Sequence, residues 1–169
     1  MKVLVCTDGS EQGQKAVREA TRIVKCYTNP EVTIIYVHEP QFVLNYRDDL
    51  DISMVALRRL KEKEESEGTE GAVKGEVLDR LKEEEMLHIE KKKKMLVNAA
   101  RFFEEENIKV NTVFKEGHPA QTIAKMVSEE GYAMVIMGSR GVSGLKRLFL
   151  GSVSNAVLQE VRCNVLIVK

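Results

Sequence analysis

Val32-Thr33-Ile34-Ile35-Tyr36-Val37 is a β-branched run with apolar residues on both faces, closed by His38. A strand with one wet face alternates polar and apolar residues; this one does not, so it reads as an interior strand of a parallel sheet. Upstream, Lys2-Val3-Leu4-Val5-Cys6 is a second short apolar run that stops at Thr7-Asp8-Gly9-Ser10, a polar turn carrying helix-start residues. Between the two, Ala16, Val17, Ala20, Ile23 and Val24 recur at the spacing of a helix with one buried face, and Asn29-Pro30 breaks it. The order is strand, helix, strand.

Downstream, residues 39–57 are mixed, and Phe42, Val43, Leu44, Ile52, Met54, Val55 and Leu57 suggest a short helix after a loop. Residues 58–94 hold 11 basic and 11 acidic residues among 37, interrupted by Gly68, Gly71 and Gly75, so the centre of this stretch reads as a loop or a frayed helix. From about 76 to 106, Leu78, Leu81, Met86, Ile89, Leu96, Ala100 and Phe103 fall near one stripe of a long amphipathic helix. Its run Lys91-Lys92-Lys93-Lys94 has no interleaved aromatics and reads as a solvated face paired with Glu83, Glu84, Glu85 and Glu90. A strand at 110–114 follows. Gly117-His118-Pro119 then opens a helix with Pro at its first position, Gly131 caps it, and Ala133-Met134-Val135-Ile136-Met137 is again apolar on both faces. A helix at about 152–161 and a strand Val165-Leu166-Ile167-Val168 complete five strands with intervening helices, an α/β parallel sheet covered on both sides. One domain over residues 1–169, with a charged helical insert at about 45–95, accounts for this layout.

Twenty-six Lys and Arg balance twenty-six Asp and Glu in 169 residues, so no global field draws the chain to nucleic acid or to an anionic membrane. No apolar run reaches the roughly 18 residues of a membrane span, and no signal peptide is expected; the chain reads as cytoplasmic. Cys6, Cys26 and Cys163 lie apart, without zinc-ligand spacing, and no metal site is expected from them. Any anion must therefore be held locally.

Ligands of such sheets sit beyond the carboxyl ends of the strands. Three segments should meet there: residues 7–10, Val37-His38, and the stretch from Gly138 onward, which follows the pattern G-x2-G-x9-G-S through Gly141, Gly151 and Ser152. Gly138 and Gly141 allow close backbone approach or positive φ, and Gly151-Ser152-Val153-Ser154 stands where a helix begins, so N–H groups and hydroxyls converge on one spot suited to phosphate. Arg140, Lys146 and Arg147 make this stretch locally +3. Asp8 either accepts hydrogen bonds from ribose hydroxyls or caps the helix after it. Val37 offers only its backbone N–H and C=O to a base.

The chain resembles the ATP-binding branch of the universal stress protein family in V-L-V-C-T-D-G-S at its start, in the G-H-P-A helix entry, and in M-G-S-R-G-V-S-G-L-K-R-L-F-L-G-S-V-S-N-A-V followed by C-N-V-L-I-V-K. The resemblance implies a Rossmann-like fold with sheet order 3-2-1-4-5, ATP between the first and fourth strands with or without Mg2+, and a homodimer paired along the last strand. Carried over, the Thr7-Asp8 turn meets the ribose or adenine side, and the Val37 main chain meets adenine. Met137 and Gly138 line the nucleoside. Gly141, Gly151, Ser152, Val153 and Ser154 hold the phosphates, and Arg140 touches them by virtue of its charge alone.

The Walker pattern is absent; His38 and His118 stand near strand ends, nothing in the sequence pairs His118 with a carboxylate at a useful spacing, His88 on the charged helix reads as structural or exposed, and no general base emerges. The expected function is an ATP-binding regulatory or stress-response protein with an unidentified protein partner, no catalytic residue and at most slow hydrolysis. The alternatives are a weak or partner-activated ATPase, and an interaction module that works through the charged insert without nucleotide.

Overall fold

The computed structural model describes residues 1–40, 42–44, 50–52, 73–141 and 150–169. Two compact units divide the chain: Met1–His38 with Lys92–Lys169, and Glu39–Lys91.

In the first unit, β1 (Lys2–Cys6), β2 (Glu31–His38), β5 (Val110–Glu116), β6 (Met134–Gly138) and β7 (Asn164–Val168) form one parallel sheet in the order β5-β2-β1-β6-β7. The register runs from Lys2 opposite Glu31 to Cys6 opposite Ile35, and Cys6 also pairs with Met137. All five strands share one direction, so their carboxyl ends share one edge. From β1 the chain builds outward through β2 to β5, then returns to the other side of β1 for β6 and β7. The order therefore reverses between β1 and β6, and this is the expected order 3-2-1-4-5.

Alternation along each strand feeds two cores. Val3, Val5, Val32, Ile34, Tyr36 and Ile136 point to the face covered by α1 (Glu11–Val24) and by residues 92–104 of α2 (Val73–Glu104), meeting Ala16, Val17, Ala20, Val24, Leu96 and Phe103. Leu4, Cys6, Ile35, Val135 and Met137 point to the other face and meet Ala120, Ile123, Met126 and Val127 of α3 (Pro119–Glu130) and Val157 of α4 (Ser152–Glu160). Helices on both faces explain why β1, β2 and β6 lack polar alternation.

The helix ends follow local chemistry. Ser10 is the N-cap of α1, its hydroxyl accepting from the Gly13 amide at 3.1 Å. Pro119 starts α3 with its missing N–H, and Gly131 ends it in the left-handed conformation at φ 68°.

In the second unit, Phe42–Leu44 (β3) and Leu50–Ile52 (β4) pair antiparallel, with Phe42 opposite Ile52 and Leu44 opposite Leu50. Where a short helix after a loop was expected within 39–57, Phe42–Leu44 and Leu50–Ile52 are strands instead. Phe42-Val43-Leu44 and Leu50-Asp51-Ile52 are too short to establish a period, and Phe, Val and Ile favour strands, with Asn45, Asp48 and Asp49 standing between them. Met54, Val55, Leu57 and the expected loop or frayed helix before Gly75 lie outside the described residues, apart from residues 73–75, which begin α2.

Candidate functional site

The crevice where strand order reverses is walled by the turn after β1 and by the segment after β6. Thr7 continues the sheet for one bond, its N–H donating to the Ile35 carbonyl at 3.1 Å. That bond also orients β2. Backbone groups alternate sides along a strand, so if Ile35 faces β1, Val37 turns its N–H and C=O the same way, two residues beyond the last β1–β2 pair. His38, one residue on, faces the other neighbour: its carbonyl accepts from the Gly117 amide at 2.8 Å. The Val37 main chain thus turns toward the β1 side, beyond the end of the β1–β2 pairing.

Asp8 folds back on the turn, its Oδ1 accepting from the Ser10 amide at 2.9 Å. The cap of α1 is Ser10, so the alternative in which Asp8 caps the helix is corrected. Oδ2 faces Gly141 so closely that a Cβ there would lie 2.6 Å from it. Across the crevice, Ser10 Oγ donates to the Arg140 carbonyl at 3.4 Å, and the Gly151 amide donates to the Ser139 carbonyl at 2.8 Å. Asp8, Arg140, Gly141 and Gly151 are therefore neighbours, although 130 and more residues separate Asp8 from the others.

Gly151 is the N-cap of α4 and offers no side-chain cap. The first amides of a helix have no acceptor one turn back, so those of Ser152 and Val153 present the positive end of α4 at the mouth of the site. The Ser152 side chain is exposed there. Ser154 differs: it is buried, and its hydroxyl donates to the Gly138 carbonyl at 2.9 Å, fastening α4 to the end of β6. Val153 packs against the second core cluster, in which Met137 is buried. Thr7 is buried as well, with Oγ1 accepting from the Gly9 amide at 3.3 Å. Gly138 lies against α1, where a Cβ would come within 2.7 Å of the Gln12 carbonyl carbon. Lys146 and Arg147, two of the three charges in the expected +3, lie outside the described residues.

Two contributors escape the sequence reading. Gly13, inside α1, leaves room for the turn: a Cβ there would meet Asp8 Oδ1 at 2.8 Å and Thr7 Oγ1 at 2.9 Å. A glycine within a helix costs about 1 kcal/mol relative to alanine, and that cost is itself a signal of close packing. Lys92 is the other. Its Nζ donates to the Asp8 carbonyl at 2.8 Å and lies 5.1 Å over the Tyr36 ring, while Lys93 lies 5.4 Å over Phe114. The lysine run is thus not wholly the solvated face expected of it.

Burial pushes the Cys6 thiol far above its ordinary range, with Cys163 adding in the same direction, which fits a packing role. Among the described residues no group of three or more His, Cys, Asp or Glu could hold a metal ion, and no helix is long and apolar enough to cross a membrane.

Comparison with known proteins places this arrangement. Universal stress protein YxiE of Bacillus subtilis is 30% identical over 168 residues, covering 99% of this chain and 98% of that one. Universal stress protein MJ0577 of Methanocaldococcus jannaschii is also 30% identical over 168 residues, covering 99% and 94%. The solved MJ0577 structure superposes with a TM-score of 0.63 at 28% identity, over 99% of this chain and 94% of that one. A universal stress protein solved in complex with cAMP shares the fold at TM-score 0.57 and 18% identity, covering 100% and 96%; one from Archaeoglobus fulgidus in complex with dAMP does so at 0.57 and 13%, covering 100% and 98%. The model of the Universal stress protein family matches residues 1–169, and the chain belongs to that family.

Proposed function

We propose that this protein binds ATP in the β1/β6 crevice and acts in the cytosol as a nucleotide-dependent regulatory protein of the stress response, its 169 residues working as one domain with a charged insert. One observation carries the reading: Asp8 Oδ2 lies against Gly141, where a Cβ would stand only 2.6 Å from it, beside the amino end of α4. A carboxylate suited to ribose hydroxyls therefore stands next to amides suited to phosphate, in the order in which a nucleotide presents them. The Val37 main chain supplies the base edge. Arg140 adds charge at the phosphate side. Thr7, Met137, Gly138 and Ser154 shape the site from beneath. Mg2+, where it accompanies the nucleotide, would draw its ligands from phosphate oxygens and water, as that ion commonly does. The free thiols Cys6, Cys26 and Cys163 suit a reducing compartment.

The adenine nucleotides held by two solved proteins of this fold make ATP and its analogues the probes of choice. Titration calorimetry with ATP should give saturable one-site binding, and Asp8→Ala should weaken ATP about tenfold while leaving 2′,3′-dideoxy-ATP nearly unchanged. Absence of heat and of protection against thermal unfolding at millimolar ATP would remove the nucleotide reading.

A homodimer joined along β7 completes the proposal. β7 is an edge of the sheet, and Val165, Leu166, Ile167 and Val168 are only partly buried, so the strand is open to pairing with a second copy. Sedimentation velocity at micromolar concentration should show the dimer mass; a monomer would exclude it.

A further inference from the structure

Residues 8–9 form a tight turn with Gly9 at φ 82°, and it is clamped from α2. Lys92 Nζ holds the Asp8 carbonyl at 2.8 Å, and a Cβ on Gly9 would lie 3.5 Å from Lys92 Nζ and 3.6 Å from Met95 Cγ. The following carbonyl, that of Gly9, is held by Gln14 Nε2 at 3.2 Å. The ammonium itself lies over the Tyr36 ring, 5.1 Å from its centroid. Asp8 has little latitude: Oδ1 is tied to the Ser10 amide, and Oδ2 is close enough to Gly141 to exclude a Cβ. A shift of the Asp8 backbone by a fraction of an ångström would move Oδ2 relative to any ribose.

We propose that Lys92 is a positioning residue of the nucleotide site, acting through the Asp8 carbonyl to fix the carboxylate that receives the ribose. The proposal rests on the nucleotide reading above. It also gives residues 92–104 of α2 a duty beyond covering the sheet, because Lys92 braces the turn after β1. An ammonium–carbonyl hydrogen bond is charge-assisted, and in a half-buried setting it holds its acceptor more firmly than a neutral donor does.

The test is calorimetry of ATP and of 2′,3′-dideoxy-ATP on the wild type, Lys92→Met and Lys92→Arg. Met keeps an unbranched apolar side chain and removes the donor and the charge over Tyr36, while Arg restores both a donor and a charge. For Lys92→Met, ATP should bind about tenfold more weakly and the dideoxy analogue should change little, so that preference for the ribose shrinks; Lys92→Arg should recover most of that preference. Equal losses for both ligands would overturn the proposal, since Lys92 would then act by its charge on the phosphates. Unchanged binding of both would overturn it too, leaving Lys92 as packing. If the wild type binds neither ligand, the nucleotide reading fails first and the role of Lys92 falls with it. Thermal melts of the unliganded variants keep the two cases apart: a positioning residue alters ligand preference with melting temperatures close to wild type.

Discussion

Gly151→Val should bind ATP at least about 100-fold more weakly than the wild type, with a melting temperature no more than about 4 °C lower. The two halves of this expectation come from different atoms. Gly151 has φ −60° and ψ 155°, a conformation open to any residue, and a Cβ there would meet Arg140 Cα at 3.5 Å, the Ser139 carbonyl oxygen at 3.6 Å and the Gly141 nitrogen at 3.8 Å. These are ordinary contacts, so the protein itself does not require glycine at this position. The remaining cost is a poorer N-cap for α4, on the order of 1 kcal/mol. The ligand side is different. Two branched methyl groups at the mouth of α4 would hold a phosphate away from the amides of Ser152 and Val153, and each such charge-assisted bond is worth roughly 1.5–3 kcal/mol. Gly151→Ala should lie between the two proteins. Normal ATP binding by Gly151→Val would mean that phosphate does not approach α4 here.

Much of the fold was legible because its strands are buried on both faces. Val32 to Val37 and Met134 to Met137 could be read as interior strands without knowing what covered them, and Pro119 and Gly131 marked the limits of α3 by their backbone chemistry alone. The antiparallel pair of Phe42–Leu44 and Leu50–Ile52 was not legible, since three residues are too few to tell a two-residue period from a helical one. The candidate site was legible as a set of segments and less so as a set of roles. Sequence spacing places Ser154 at the phosphate end of α4, yet its hydroxyl is directed to the Gly138 carbonyl. Nothing in sequence distinguishes these, because a first-turn serine can face either the ligand or the strand it follows. Lys92 was within reach. It precedes Leu96 by four residues and Met95 by three, and Lys93 precedes Leu96 by three and Ala100 by seven, so the core stripe puts these two lysines of the four beside the buried face. Charge in the run concealed the phase.

Gly138 belongs to the same glycine pattern as Gly151 and should behave in the opposite way. A Cβ on Gly138 would lie 2.7 Å from the Gln12 carbonyl carbon, 2.9 Å from its Cβ and 2.9 Å from its oxygen. Two of these three atoms are helix backbone, which cannot rotate away as a side chain can. To admit a larger residue, α1 must withdraw from the end of β6, and α1 brings Ala16, Val17, Ala20 and Val24 into the core with it. Overpacking of this kind costs about 1–3 kcal/mol, and the rigid neighbour puts Gly138→Val near the upper end, at about 3 kcal/mol. For a chain of this size that corresponds to a melting temperature lower by roughly 6–12 °C. The loss should appear in urea unfolding of the unliganded protein as a lower midpoint with an unchanged slope, which marks a change of stability rather than of unfolded-state compactness. Gly138→Ala carries the offending atom without the branches and should lose less. A Gly138→Val protein as stable as wild type would mean that α1 and β6 stand farther apart than described. A stable variant with impaired ATP binding would return Gly138 to the nucleoside-lining role that its place in the motif suggests.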